Sequence, residues 1–256
     1  MEIVEPCEFL PWDTNFFGRR IARVREHRLD PHRTKEILEW CRVQSIECLY
    51  FLADSDHAET VRLAENHGFR FVDIRVTLQQ SIRGQQSAPK DHRADAAAMI
   101  RLARASDIPF LQAIARNCHS DSRFYYDPGF PTASCEALYE TWIKRSCEDY
   151  ADAVLVAELD DQPVGYVSCH LRADPPHGQI GLVGLAEQAR GHGLGQILVN
   201  RSLDWFAQHN ISQVSVVTQG RNVAAQRLYQ RCGFLIQSVQ LWFHRWAKDS
   251  VSEGAA

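Results

Sequence analysis

The sequence predicts an α/β protein built on a mixed sheet, and three observations carry that expectation. Strand-like and helical patterns alternate along most of the chain, the ordering that α/β folds require. A glycine-rich stretch, Gly191-His192-Gly193-Leu194-Gly195, stands between a strand pattern and a helical one. A unit made of a helix end, a glycine, a phenylalanine and a strand occurs twice, at 63–69 and at 228–234. The two copies suggest related halves, of which only the second has a glycine loop upstream.

Composition narrows the function classes. At 256 residues the chain suffices for one large domain or two small ones, and 45% hydrophobic with 23% charged residues is ordinary for a globular protein. A formal charge of -4 gives no strong attraction to nucleic acid or membrane, so neither is expected as a partner. There is no apolar run of membrane-spanning length, and residues 1–6 have neither the basic start nor the apolar core of a signal peptide. Eight cysteines without a C-x-x-C pair point to reduced, mostly buried thiols in a cytoplasmic protein. Eleven histidines without H-x-x-x-H or H-E-x-x-H spacing give no reason to expect a metal.

The first half, 1–80, begins with three aromatics and a glycine at 12–18, expected as an aromatic turn tucked under the core or lining a pocket for a flat ligand. Residues 21–24 suit a strand. Asp30 can cap a helix that Pro31 opens, with Ile37, Leu38 and Cys41 at helical spacing. A buried strand at 49–52 and a helix at 59–66 closed by Gly68 follow. Residues 69–78 alternate as a strand, with Asp73 on the face shared by Phe69, Phe71, Arg75 and Thr77. Residues 81–98 are rich in Gln, Ser, Gly, Pro and charge, and read as a linker.

The second half, 99–246, opens with a strand at 100–103 and a helix from about Ser106 to Asn117. The segment 121–131 holds two prolines and a glycine that forbid regular structure, yet also four aromatics and Arg123. Such a loop packs onto the core or folds over a ligand. A helix at 137–147, a hairpin at 153–171, a turn at 174–178 and a strand at 179–186 lead to the glycine loop. A helix to Gln208, a strand at 211–218, a helix at 223–232 that Asn222 caps and Gly233 ends, and a final strand or strand pair at 234–246 complete the half. The tail, 247–256, is small and polar and is expected to fray.

Closely spaced glycines allow near approach of a ligand, and the helix behind them aims unpaired N–H groups and partial positive charge at the loop, which suits a phosphate or pyrophosphate. With Arg190-x-x-Gly193-x-Gly195 and Asn222-x-x-Ala225-x-x-Leu228-Tyr229-x-x-x-Gly233-Phe234, the stretch from about Ile100 to Trp246 strongly resembles the GNAT acetyltransferase superfamily. The resemblance implies the GNAT acyl-CoA N-acyltransferase fold, a mixed splayed sheet flanked by helices, here with a partial GNAT-like N-terminal half. It implies acetyl-CoA as cosubstrate. Backbone N–H groups of Arg190, Gly191, His192, Gly193, Leu194 and Gly195 would hold the pyrophosphate. Val183, Gly184 and Leu185 would run beside the pantetheine arm and donate to the oxyanion, Asn222 and Ala225 would lie near the cofactor, and Tyr229 would be the general acid. The chemistry agrees: acyl transfer to an amine needs a neutral amine, a donor for the oxyanion and a proton for the leaving thiolate.

A further resemblance spans nearly the whole chain. Trp12-x-x-x-Phe16-Phe17-Gly18, His67-Gly68-Phe69 and Ser122-Arg123-Phe124 are similar to motifs of acetyltransferases acting on nucleotide-linked amino sugars in bacterial surface-polysaccharide synthesis. The connector is longer here and the tail more polar. The resemblance implies a dTDP-linked amino-deoxy sugar as acceptor, bound between the halves. Asp73 would activate the amine through water, Arg123 would pair with a phosphate, and Phe17, Phe124 or Tyr125 would stack on a thymine or sugar face. Beside it stand an acetyltransferase acting on a protein or small free amine, and a CoA-binding module without turnover. The intact Tyr229, Asn222 and glycine loop count against the last. Trp242, Phe243 and Trp246 are expected as exposed aromatics that could serve a homodimer.

Overall fold

A computed structural model describes residues 5–82 and 99–247. The expected linker and frayed tail lie almost wholly outside the described residues.

The first half comprises β1 (Cys7–Phe9), α1 (Pro11–Phe17), β2 (Ile21–Val24), α2 (Pro31–Val43), β3 (Cys48–Asp54), α3 (Ala58–Asn66) and β4 (Arg70–Ser81). The second comprises β5 (Met99–Leu102), α4 (Ile108–Cys118), α5 (Thr132–Arg145), β6 (Ala153–Leu159), β7 (Gln162–Ala173), β8 (Pro176–Leu185), α6 (Leu194–Gln208), β9 (Gln213–Gln219), α7 (Val223–Arg231) and β10 (Leu235–Trp246). The capping residues read from sequence act as expected. Asp30 Oδ1 accepts from the Arg33 N–H at 2.8 Å, and Asn222 Oδ1 from the Ala225 N–H at 2.9 Å.

Two local expectations are corrected. The aromatic turn at 12–18 is the helix α1, which Pro11 opens and Gly18 closes in the left-handed conformation. No side chain caps it, so its start carries only the proline signal. The turn expected at 174–178 shrinks to two residues, because Ala173 pairs with Pro176 and β8 begins there.

The strands form one sheet in the order β1-β2-β3-β10-β4-β9-β8-β7-β6-β5. Only β2–β3 and β8–β9 are parallel. The segment β2-α2-β3-α3-β4 has the same succession as β8-α6-β9-α7-β10, which extends the short repeat seen in sequence. In both, the helix ends on a glycine at positive φ, and the next N–H reaches back to the helix, Phe69 to Ala64 and Phe234 to Tyr229, each at 3.0 Å. The last strands cross over: β4 lies between β10 and β9, and β10 between β3 and β4. The sheet is therefore continuous across the halves.

Three apolar clusters cover it. One lies under α6 and α7, a second joins α1, α4 and α5 to the sheet, and a third packs α2 and α3 on β3. All eight cysteines are free thiols, six of them buried. The expected patch at the chain's end does not form. Phe243 is 1% exposed in the third cluster, and Trp242 and Trp246 pack against the second, because β10 is an interior strand. Among the described residues no helix is long and apolar enough to cross a membrane.

Candidate active site

Strands β8 and β9 pair only over Gly178–Ile180 and Val214–Val216. Beyond these residues each holds its other neighbour, β7 and β4, and the two part company. The result is a wedge in the sheet with an unpaired backbone edge along β8. A bulge on β8 sets that edge: Gly181 and Leu182 together face Ser168, whose hydroxyl accepts the Leu182 N–H at 2.8 Å. The Ala186 N–H points the same way, to Val164 O at 2.8 Å. Alternation along the strand then turns the N–H groups of Val183 and Leu185 into the wedge. Gly184 is required here by contact, since a Cβ would meet the Tyr166 hydroxyl at 2.7 Å.

The glycine loop closes the chain from β8 to α6. Gly193 caps α6 at φ 81, where a side chain is strained. The N–H groups of Gly191, His192 and Gly193 find no acceptor among the described residues. Gly195 is buried inside the first turn against Leu185 and Leu228. The Arg190 side chain turns back to Leu185 O at 3.2 Å and the Cys118 sulfur at 3.3 Å.

The loop between α4 and α5 spans the open end of the wedge. At one side the Cys118 thiol donates to Leu185 O at 3.1 Å, tying the loop to β8. At the other, Arg221, just after β9, donates to Asp121 O at 3.3 Å and to Val72 O at 2.8 Å. The same guanidinium lies 3.6 Å from Asp73 Oδ1 and 3.5 Å over the Tyr126 ring. Asp73 is 2% exposed. A bulge at Val72 brings both residues inward, against the simple alternation expected from sequence. Burial raises its carboxyl to about 6, against the pull of Arg221 and the Ile74 N–H. Arg123, next to Asp121 in the loop, lies 4.2 Å from the Trp242 ring, 4.3 Å from Tyr50 and 4.4 Å from Phe124. No carboxylate reaches it within ion-pair distance among the described residues.

A glycine loop with free N–H groups, an unpaired strand edge and a loop across the wedge's open end thus lie together at one end of the sheet. The acetyltransferase (GNAT) family model matches residues 115–234. Those residues belong to the GNAT acetyltransferase family. The chain is 29% identical to dTDP-fucosamine acetyltransferase of Escherichia coli O6:H1 over 96% of this chain and all of that one. It is 24% identical to mycothiol acetyltransferase of Renibacterium salmoninarum over 81% of this chain and 58% of the relative. A GCN5-related N-acetyltransferase from Kribbella flavida shares the fold, with a TM-score of 0.65 at 14% identity over 95% of this chain and 88% of that one.

In this GNAT enzyme Tyr229 sits in α7, 5% exposed, with its ring 5.9 Å from Phe234. Its hydroxyl has no hydrogen-bond partner among the described residues, and burial pushes the phenol well above its usual range. Asn222 spends its carbonyl on the α7 cap, and Ala225 is the residue it caps. The structure thus brings 183–185, 190–195, 222 and 225 around one wedge. Asp73, on β4, lies beside Arg221 just after β9, and Arg123 lies over β3 and β10 against Tyr50 and Trp242.

The aromatic expectations divide. Phe124 is 2% exposed and surrounded by Phe17, Tyr50, Phe130 and Trp142. It has no free face to offer a base, so that role is corrected to a core one. The loop packs on the core through Phe124 and Phe130 while holding Arg123 over β3 and β10. Phe17 and Tyr125 remain half-buried beside it. Sequence reasoning missed Arg221 and Tyr126. Arg221 directly precedes Asn222, and Tyr126 closes an aromatic run, but neither spacing reveals that the two stack.

The cradle fits a pyrophosphate, and one substitution checks this. Gly193→Val places a β-branched residue at φ 81, costing about 1–2 kcal/mol and turning the N–H groups away. We expect it to weaken CoA binding at least tenfold in a calorimetric titration, with a thermal midpoint lowered by about 2–8 °C.

Proposed function

We propose that this acetyltransferase moves an acetyl group from acetyl-CoA to the amine of a dTDP-linked amino-deoxy sugar. The observation that carries the reading is Arg123: a guanidinium over β3 and β10, on the same face as the loop, gripped by three aromatic rings and without a carboxylate partner among the described residues. Such a cation suits a diphosphate held by paired contacts. The full-length match to a dTDP-fucosamine acetyltransferase supports the same acceptor class.

Acetyl-CoA supplies an activated thioester. Residues 190–195 hold its pyrophosphate, and the edge of β8 at Val183, Gly184 and Leu185 lies along its arm. The N–H groups of Val183 and Leu185 are the donors available to the reacting carbonyl. Asp73, ionised above about pH 6, takes the proton of the acceptor amine through water. Tyr229 keeps its proton at working pH and offers it to the departing sulfur. Arg221 holds Asp73 and the loop together, and Tyr126, 54% exposed and stacked on Arg221, adds a flat surface for the sugar or base.

The test is a panel. The protein is incubated with acetyl-CoA and with dTDP- and UDP-amino sugars, free amines and peptides, and free thiol is followed. We expect thiol release with one or more dTDP-amino sugars. Release with peptides or small amines and none with any nucleotide sugar would overturn the assignment.

A further inference from the structure

Behind Arg123 runs a buried polar chain that the acyl-transfer chemistry does not use. His244 Nε2 lies 3.1 Å from Arg123 Nη1, and His244 Nδ1 lies 2.5 Å from Asp127 Oδ2. Arginine has only N–H donors, so Nε2 must accept and the imidazole proton must sit on Nδ1, donated to Asp127. His244 is 1% exposed and Asp127 is 5% exposed. Burial holds the imidazole down at about 4, with Asp127 pulling it up and Arg123 pushing it further down. The ring is therefore neutral at working pH, and Asp127 is the fixed anion at the end of the chain.

Asp127 is itself saturated. Oδ1 accepts from the Gly129 N–H at 2.9 Å and from Trp246 Nε1 at 3.1 Å, while Oδ2 accepts from Trp246 Nε1 at 2.9 Å and from His244. Other charged groups within electrostatic reach of Arg123 are Asp13 on α1 and Asp73 and Arg75 on β4. The guanidinium is thus held by rings around it and by one directed hydrogen bond, whose polarity a carboxylate two groups away dictates.

We propose that Asp127 and His244 are positioning residues that set acceptor affinity by fixing the orientation of Arg123. This rests on the reading of Arg123 as the contact for the acceptor's phosphates. The polarity makes a sharp test. In Asp127→Asn, the Gly129 N–H, a fixed backbone donor that reaches Oδ1 alone, holds the amide oxygen at that place, and Trp246 Nε1, 3.1 Å from Oδ1 and 2.9 Å from Oδ2, can serve it there. The amide nitrogen then faces His244 Nδ1, which must become an acceptor. The proton moves to Nε2 and points at Arg123, donor against donor.

The experiment uses the full chain with 15N-labelled histidine and steady-state kinetics with a dTDP-amino sugar. The His244 ring nitrogens are expected to report an Nδ1–H tautomer in the parent protein and Nε2–H in Asp127→Asn. The acceptor KM is expected to rise about tenfold, with kcat and the acetyl-CoA KM within about twofold. In an Arg123→Ala background, Asp127→Asn is expected to add less than about twofold, since its effect passes through the arginine. His244→Gln, whose amide can donate to Asp127 and accept from Arg123, should keep the acceptor KM within about threefold, while His244→Leu should lose it about tenfold. Independent, multiplying effects of Asp127→Asn and Arg123→Ala, equal losses in the two His244 variants, or an unchanged tautomer in Asp127→Asn would each overturn the proposal. An acceptor KM untouched by Arg123→Ala would instead overturn the acceptor reading of Arg123, and the tautomer measurement would still judge the relay by itself.

Discussion

Tyr229→Phe is expected to lower kcat about a hundredfold, the usual scale for loss of a positioned acid, while the KM values for acetyl-CoA and acceptor stay within about threefold. The reason is in the proton inventory. An ordinary phenol is a weaker acid than an ordinary thiol by about 1.5 pH units, so full transfer to the sulfur is about 2 kcal/mol uphill. Burial pushes Tyr229 further up, which makes full transfer costlier still. The same shift keeps the proton in place throughout the working pH range. Tyr229 therefore acts by a hydrogen bond that strengthens as negative charge grows on sulfur, and a contact stronger in the transition state than in the ground state changes kcat rather than KM. Stability should hardly move. The hydroxyl makes no hydrogen bond among the described residues, so its removal leaves no buried partner unsatisfied, and the ring keeps its place against Phe234. Initial rates of thiol release and a thermal melt on the same preparation check both halves. A variant that turns over at the parent rate removes the acid assignment.

The glycine loop and the capped helix proposed to hold the donor were legible in sequence because their signals are local. The loop is a run of glycines followed by a helix, and Asn222, Ala225 and Tyr229 lie on one short capped helix downstream, so spacing alone expresses the geometry. The fold class was legible for the same reason, since most elements carry their own periodicity and caps. The proposed acceptor side is assembled from four distant segments. Asp73 is buried by a bulge that no alternation pattern predicts. Arg221 reaches it only because β4 is inserted beside β9, a crossover between halves that has no local signature. His244 and Asp127 are 117 residues apart and look like an ordinary strand histidine and loop aspartate until β10 and the loop meet. Phe124 failed as a stacking residue because a loop rich in aromatics needs some of them as its own core.

Asp73→Asn is expected to make the protein more stable and much slower. The folded carboxyl lies at about 6, above an ordinary value of 3.8, because burial disfavours the charged form more than Arg221 and the Ile74 N–H favour it. The native state thus holds a proton that the unfolded chain has already lost between those values. The contribution to stability is full below about pH 4 and is lost as pH rises through about 6. At neutral pH the ionised group costs up to about 3 kcal/mol relative to a neutral one. Asparagine has nearly the same shape, carries no charge and can still accept from Ile74, so the melting temperature at pH 7–8 should rise by about 3–8 °C. The advantage should vanish below about pH 4, where the aspartate is itself neutral. Catalysis should move the other way. If Asp73 is the base, kcat/KM of the parent enzyme falls on the acid side with an apparent pKa near 6, and Asp73→Asn lacks that limb and is about a hundredfold slower at pH 8. Deprotonation of the acceptor amine is common to both enzymes, so it cancels in the ratio of their profiles. Rate profiles from pH 5 to 9 and melts across the same range test the two halves separately. A stabilised variant that keeps the acid limb and the parent rate would leave Asp73 as a partner for Arg221 alone. A loss of both rate and stability would show that the Arg221 contact outweighs the cost of burying the charge.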